Sequence, residues 1–241
     1  MITSRGVIEH KRSDSYPNTK PVSKIHIDVS HTIENGLVTY KGLPAPVICD
    51  YLSREASKAY YAEGTSFQIA KIEMVSNTGT YIDSPFHRYE DGKDLSELDL
   101  ESVAGVPGIV IRVAEEIKAI GADHFSGYDL LGKAVLIHTN WSRHWNTAPY
   151  YEGHPFVTEA AAVFLKDQGV TLVGIDAYNI DDTAGNTRPV HSTLLGAEIP
   201  IVEHLCQLEA VPDHGFSFYA VPVKVKGCGT FPVRAFAEVD R

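Results

Sequence analysis

The stretch TEAAAVFLKDQGVTLVGID, residues 158–176, decides the fold. Thr158 stands where a helix N-cap hydroxyl is wanted, and Glu159 opens a helical run that continues through Lys166. A threonine oxygen can accept from the free N–H groups of a first turn, and an acidic side chain suits its partial positive charge. Gly169 sits where a left-handed residue closes a helix. Val170 to Asp176 (VTLVGID) then reads as a strand, because a short β-branched run without polar alternation suits burial on both faces. The expectation is a helix-then-strand unit within residues 157–176.

Two further runs of this kind lie upstream, Gly108 to Val113 (GIVIRV) and Ala134 to Thr139 (AVLIHT). Between them Gly121 to Leu131 reads as a connector with a helical turn. Ile25, Ile27 and Val29 alternate with polar residues, predicting a strand that ends near Ser30. Residues 31–50 contain Gly36, Gly42, Pro44 and Pro46 and read mostly as loop. Phe67, Ile69, Ile72 and Met74 suggest a longer strand with room for a bulge, running into a loop over residues 76–92. Ile201 to Leu208 reads as a short helix, and Phe216 to Lys226 and Arg234 to Val239 as late strands. Composition does not shift along the chain. The expected architecture is one α/β domain over residues 24–241, a mixed sheet with few helices. Residues 1–23, with Pro17, Pro21 and little periodicity, form an N-terminal arm.

The chain has 241 residues, 44% hydrophobic and 22% charged, which is ordinary globular usage. Lys and Arg total 21 against 31 Asp and Glu, a net charge of −10. Such a surface repels phosphate backbones, so no nucleic-acid partner is expected. Cys49, Cys206 and Cys228 are odd in number and widely spaced, which suits a reducing, cytoplasmic setting better than a disulfide framework. No apolar run approaches the roughly 18 residues of a membrane span, and Met1 to Asp14 lacks a signal-like apolar core.

Chemistry concentrates in two segments. The first is Asn77-Thr78-Gly79-Thr80-Tyr81-Ile82-Asp83-Ser84-Pro85-Phe86-His87. Gly79 permits a turn or a close approach, and Pro85 stiffens the link between an acid and an imidazole. Read by residue type alone, Asp83 could equally satisfy backbone donors while His87 lies on the surface. The second segment runs from Gly174 to Glu203 and offers Asp176 at a strand end, then His191 and Glu203. Asp83, His191 and Glu203 together would make a set suited to Mn, Fe or Zn, although Glu203 could instead face solvent and His191 cap a loop. Arg88 and Arg188 adjoin these residues, and either could hold an anionic substrate through a bidentate contact. His138, His144 and His154 flank Trp141 and Trp145 in no standard metal spacing. No P-loop, GxGxxG or GxSxG pattern is present.

These residues resemble the cyclase family of metal-dependent hydrolases, which includes kynurenine formamidase and isatin hydrolase. The family pattern HxGTHxDxPxH is similar to Asn77-x-Gly79-Thr80-Tyr81-x-Asp83-x-Pro85-x-His87. Asp28-Val29-Ser30-His31, His154-Pro155-Phe156, Val173-Gly174-Ile175-Asp176, His191-x-x-Leu194-Leu195, Ile201-x-Glu203 and Gly227 to Ala235 (GCGTFPVRA) extend the resemblance over about residues 24–240. It implies a swivelling β/β/α domain and a divalent metal, Mn or Zn, on Asp83, His191 and Glu203. It implies His87 as general acid/base toward a metal-activated water attacking an amide, lactam or lactone carbonyl. It implies a small-molecule substrate and a homodimer or homotetramer.

Two family histidines are replaced, by Asn77 and Tyr81. An amide is a weak ligand, and a phenol must lose a proton from a pKa of about 10 to bind well. One of the family's two metal positions is thereby put in question. Asn77 is left to shape the pocket, and Tyr81 to donate a proton or hold an oxyanion. Two rival readings follow: a metal-free cyclase or dehydratase using His87 and Tyr81, and a non-catalytic binding protein on the same fold.

Overall fold

The computed structural model describes residues 23–240. The arm read over residues 1–23 lies outside the described residues except for Ser23. In chain order the strands are β1 (Lys24–Asp28), β2 (Val47–Leu52), β3 (Ile69–Glu73), β4 (Tyr81–Asp83), β5 (Ala104–Arg112), β6 (Ala119–Ile120), β7 (Ala134–His138), β8 (Phe156–Val157), β9 (Leu172–Ile175), β10 (Ile201–Glu203), β11 (His214–Tyr219), β12 (Thr230–Pro232) and β13 (Phe236–Asp240). The helices are α1 (Arg54–Ser57), α2 (Glu159–Asp167) and α3 (Pro189–Leu195).

Nine strands form one mixed sheet in the order β1-β13-β11-β5-β7-β9-β10-β4-β12. Its centre, β5-β7-β9-β10, is parallel, and the strands on either side are antiparallel. The three runs without polar alternation are indeed central, buried on both faces. Along β5, Ile109 and Ile111 join the core beneath α2 and α3, while Val106 and Val110 point into the opposite core. That is the two-residue period of a strand. The unit at 157–176 forms as expected. The Thr158 hydroxyl accepts from the Ala161 N–H at 3.2 Å, and Gly169 takes φ +69°. Ala161, Ala162 and Leu165 bury one face of α2 against the sheet.

Several expectations need correcting. Ile201 to Leu208 is not a helix: Ile201–Glu203 is strand β10, parallel to β9 and antiparallel to β4. His204 and Gln207 then take φ +57° and +54°, a left-handed conformation that no right-handed helix can contain. The loop predicted at 76–92 contains β4 and a 3₁₀ turn over Pro85–His87. The late strand ends at Tyr219, ahead of Pro222, which has no N–H to offer a ladder. The last strand is shifted to Phe236–Asp240. Strand β3 pairs with β2 as a hairpin beside the main sheet, and the irregularity lies in β2, between Asp50 and Leu52.

Candidate active site

The site is built by strand register. β4 lies between β10 and β12, with Tyr81 opposite Glu203 and Asp83 opposite Thr230. Directly opposed residues of an antiparallel pair share a face. Hence the Tyr81 hydroxyl donates to Glu203 Oε2 at 2.7 Å, and the Thr230 hydroxyl donates to Asp83 Oδ1. Ile82 and Val202, one residue out of phase, enter the core on the other side.

Helix α3 delivers His191. Its first turn is held by Asp181, a residue that sequence reading did not single out. Asp181 Oδ1 accepts from Val190 N–H at 2.8 Å, and Oδ2 accepts from His191 N–H at 3.1 Å and from Nδ1 at 2.6 Å. A carboxylate only accepts here, so Nδ1 carries a proton and Nε2 is the ring position left for a cation to take once it gives up its own proton. Nε2 lies 3.6 Å from Asp83 Oδ2 and 3.7 Å from Glu203 Oε1.

The donor set suits a divalent cation. Asp83 Oδ2 is buried with no hydrogen-bond partner among the described residues, an arrangement that is costly unless a cation or donor meets it. Ligands bound at about 2.1 Å are separated by about 3.0–3.4 Å, close to the 3.6 and 3.7 Å from His191 Nε2 to Asp83 and to Glu203, while Glu203 falls outside the group whose donors all lie within 4.8 Å. Glu203 Oε1 also accepts from Ile180 N–H at 2.7 Å, which fixes the carboxylate in place. The set whose donor atoms all lie within 4.8 Å of one another is Asp83, His87 and His191. His191 therefore has two possible companions besides Asp83.

The imidazole and the carboxylates shift one another's protonation. Burial pulls the His191 imidazole down, but its Asp181 hydrogen bond, the adjoining Asp83 carboxylate and the charge of Glu203 outweigh this and hold it at about 10. Burial pushes Glu203 up to about 7; the His191 charge opposes this and the Asp83 charge adds to it. Burial, then the charges of Glu203 and Asp83, hold the Tyr81 hydroxyl well above the ordinary phenol range, so it keeps its proton.

His87 follows on the 3₁₀ turn, with its side chain 35% exposed. Thr230 has a single proton, and Asp83 takes it. Toward His87 Nδ1, 2.8 Å away, Thr230 must therefore accept. That assigns the Nδ1 proton and leaves His87 Nε2 free for proton exchange. Thr230 was also missed; the signal was in the glycines before it. A Cβ on Gly229 would lie 2.6 Å from His87 Cα, so only glycine lets this strand approach the turn.

Asn77, Tyr81, His87, Arg88, Arg188, His191 and Glu203 all line one cleft of about 280 Å³, with Asp83 buried beneath it. Two residues foreseen as candidates lie elsewhere. The Asp176 carboxylate accepts from the Thr139 N–H and hydroxyl at 2.8 and 2.6 Å. His154 is packed against Tyr178 and reaches Thr183. Cys49, Cys206 and Cys228 are all free thiols. Among the described residues no helix is long and apolar enough to cross a membrane.

The chain is similar to known proteins over most of its length. The family model Cyclase, described as "Putative cyclase", matches residues 27–182. A kynurenine formamidase of Geobacillus thermodenitrificans is 35% identical over 176 residues, 72% of this chain and 81% of the relative. A solved structure of a potential metal-dependent hydrolase with cyclase activity is 28% identical, with TM-score 0.74, covering 91% of this chain and 99% of its own. Isatin hydrolase A from Labrenzia aggregata, at 22% identity and TM-score 0.78, covers 90% of this chain and 94% of its own and shares the fold.

Proposed function

Since the chain belongs to the Cyclase family, we propose that it hydrolyses a non-peptide C–N bond, an amide or lactam, or a related lactone, in a small molecule. One divalent ion, manganese or zinc, is held by Asp83, His191 and Glu203. The observation that carries this reading is the buried, unpartnered Asp83 Oδ2 facing His191 Nε2 at 3.6 Å. When bound, such an ion polarises a carbonyl and lowers the pKa of water.

The protein's own residues supply the rest. Asp181 keeps the His191 proton on Nδ1. His87, tethered at Nδ1 by Thr230, takes and returns a proton at Nε2, where a leaving nitrogen can reach it. Tyr81 retains its proton and donates a hydrogen bond to Glu203, so its role is to orient that carboxylate. Asn77 shapes the wall beside Tyr81. A second reading, with His87 as the third ligand, draws on the close grouping of Asp83, His87 and His191.

The test is hydrolysis of N-acyl arylamines and lactams by manganese- or zinc-supplemented protein and by its His87→Ala variant. Turnover that vanishes in the variant supports the reading. Turnover that survives both this change and exhaustive chelation overturns it. Cytoplasmic location and assembly into a dimer or tetramer belong to the same reading. The β2–β3 hairpin exposes Val47, Tyr51, Ile69 and Ile72, apolar surface that a second copy could cover. Sedimentation of a strict monomer would remove the assembly claim.

A further inference from the structure

Arginines on an acidic protein usually find carboxylates. Here Arg112, Arg143 and Arg234 pair with Asp213, Glu115 and Asp28. Arg88 and Arg188 line the cleft and face no carboxylate among the described residues. Each is nonetheless held in place. Arg188 Nη1 donates to the carbonyls of Asp182, Gly185 and Thr187 at 3.3, 2.9 and 2.7 Å. Arg88 uses only Nε, which donates to Ser192 Oγ at 3.0 Å. The Ser192 hydroxyl in turn donates to the Arg188 carbonyl at 2.9 Å. One hydroxyl thus links the Arg88 guanidinium to the Arg188 backbone, one residue beyond His191.

The terminal nitrogens of Arg88 and the Nε and Nη2 of Arg188 keep their donors free among the described residues. Donors fixed before the ligand arrives bind an anion with little ordering cost. Planar guanidinium forks match carboxylates in particular. The cleft is therefore polarised. Glu203 lines it and the buried Asp83 adjoins His191 in its wall, while two cations line it at Arg88 and Arg188. Its volume of about 280 Å³ lies at the small end of ligand sites.

The geometry points to a substrate that carries a carboxylate apart from its scissile carbonyl, with Arg88 and Arg188 binding that carboxylate while the carbonyl meets the acidic wall. This rests on the hydrolase reading but is separable from it.

The test is calorimetric binding of 2-aminobenzoate and of 2-aminobenzamide to the full-length protein supplemented with manganese. The acid is expected to bind roughly ten- to hundredfold more tightly than the amide, the range of a charge-assisted bond. That preference is expected to fall toward unity in Arg88→Gln and in Arg188→Gln. Should Arg188→Gln loosen its loop, seen as a lower melting temperature, Arg88→Gln carries the test, because it has only the Ser192 contact to lose. Equal binding of the two probes, a preference that survives both changes, or no binding of either at millimolar concentration overturns the proposal. Hydrolysis of N-formyl-2-aminobenzoate and its methyl ester is measured alongside. A binding preference without hydrolysis of either upholds the anion site and removes the amidase reading. Equal hydrolysis without a binding preference does the reverse.

Discussion

Replacing Asp181 with asparagine isolates the residue that aims His191. The carboxylate accepts three hydrogen bonds, from Val190 N–H on Oδ1 and from His191 N–H and Nδ1 on Oδ2. An amide has one acceptor end and one donor end. If its oxygen faces Val190, its NH₂ meets the His191 N–H; if it is turned over, its NH₂ meets the Val190 N–H. Either way one buried backbone donor is left without an acceptor, at about 1–3 kcal/mol. The charge-assisted bond to Nδ1 is lost as well, at about 1.5–3 kcal/mol. In the first orientation the amide also donates to Nδ1, which drives the ring proton to Nε2, the wrong place for a ligand. The expected result is a loss of about 3–5 kcal/mol of folding stability, typical of breaking a buried charge pair, and a ten- to hundredfold weaker metal affinity. Urea unfolding reads the first, and competition with a chromophoric chelator reads the second. An Asp181→Asn protein with unchanged midpoint and unchanged affinity would refute this account of His191.

Other changes separate the roles within the cleft. His87→Ala is expected to keep its metal and lose roughly 10²- to 10⁴-fold in kcat; loss of the metal instead would make His87 a ligand. Tyr81→Phe strips Glu203 Oε2 of its buried donor and is expected to cost about 1–3 kcal/mol in urea unfolding, with no change meaning that the bond is idle. The double change Asn77→His and Tyr81→His is expected to raise the metal content above that of the parent, and unchanged content on titration would remove the idea that these two residues suppress a second ion. Away from the site, burial raises Asp176 to about 6. A raised folded pKa means stability that is full below the unfolded value near 4 and lost as pH rises through 6. Asp176→Asn keeps an acceptor for Thr139, so it is expected to gain about 3 kcal/mol over the parent at pH 8 and little near pH 4. A gain that is independent of pH would contradict this.

The central sheet was legible because its strands are buried on both faces, so GIVIRV, AVLIHT and VTLVGID advertise themselves without help from their neighbours. Thr158 and Gly169 marked the ends of α2 for equally local reasons. β4 and β10 are only three residues long and exist because of what flanks them. Leu205 and Leu208 offered a helical spacing that two left-handed residues, His204 and Gln207, cancel. Helix α3 was hidden by its polar approach and by Pro189, which suits a first helical position. Its cap comes from Asp181, across a loop rather than from the usual neighbouring position. The candidate residues Asp83, His87, His191 and Glu203 could be gathered from motif order, and the structure puts them around one cleft. Thr230 lies 147 residues from Asp83 in the chain, and only strand register reveals that they are partners.

The most direct measurement is the metal content of the purified protein, obtained without affinity metal and read by plasma mass spectrometry, beside that of Glu203→Ala. The account predicts close to one manganese or zinc per chain in the parent and its loss in the variant. A parent that takes up none after soaking with manganese, zinc and magnesium, or a variant that retains the ion in full, would contradict it.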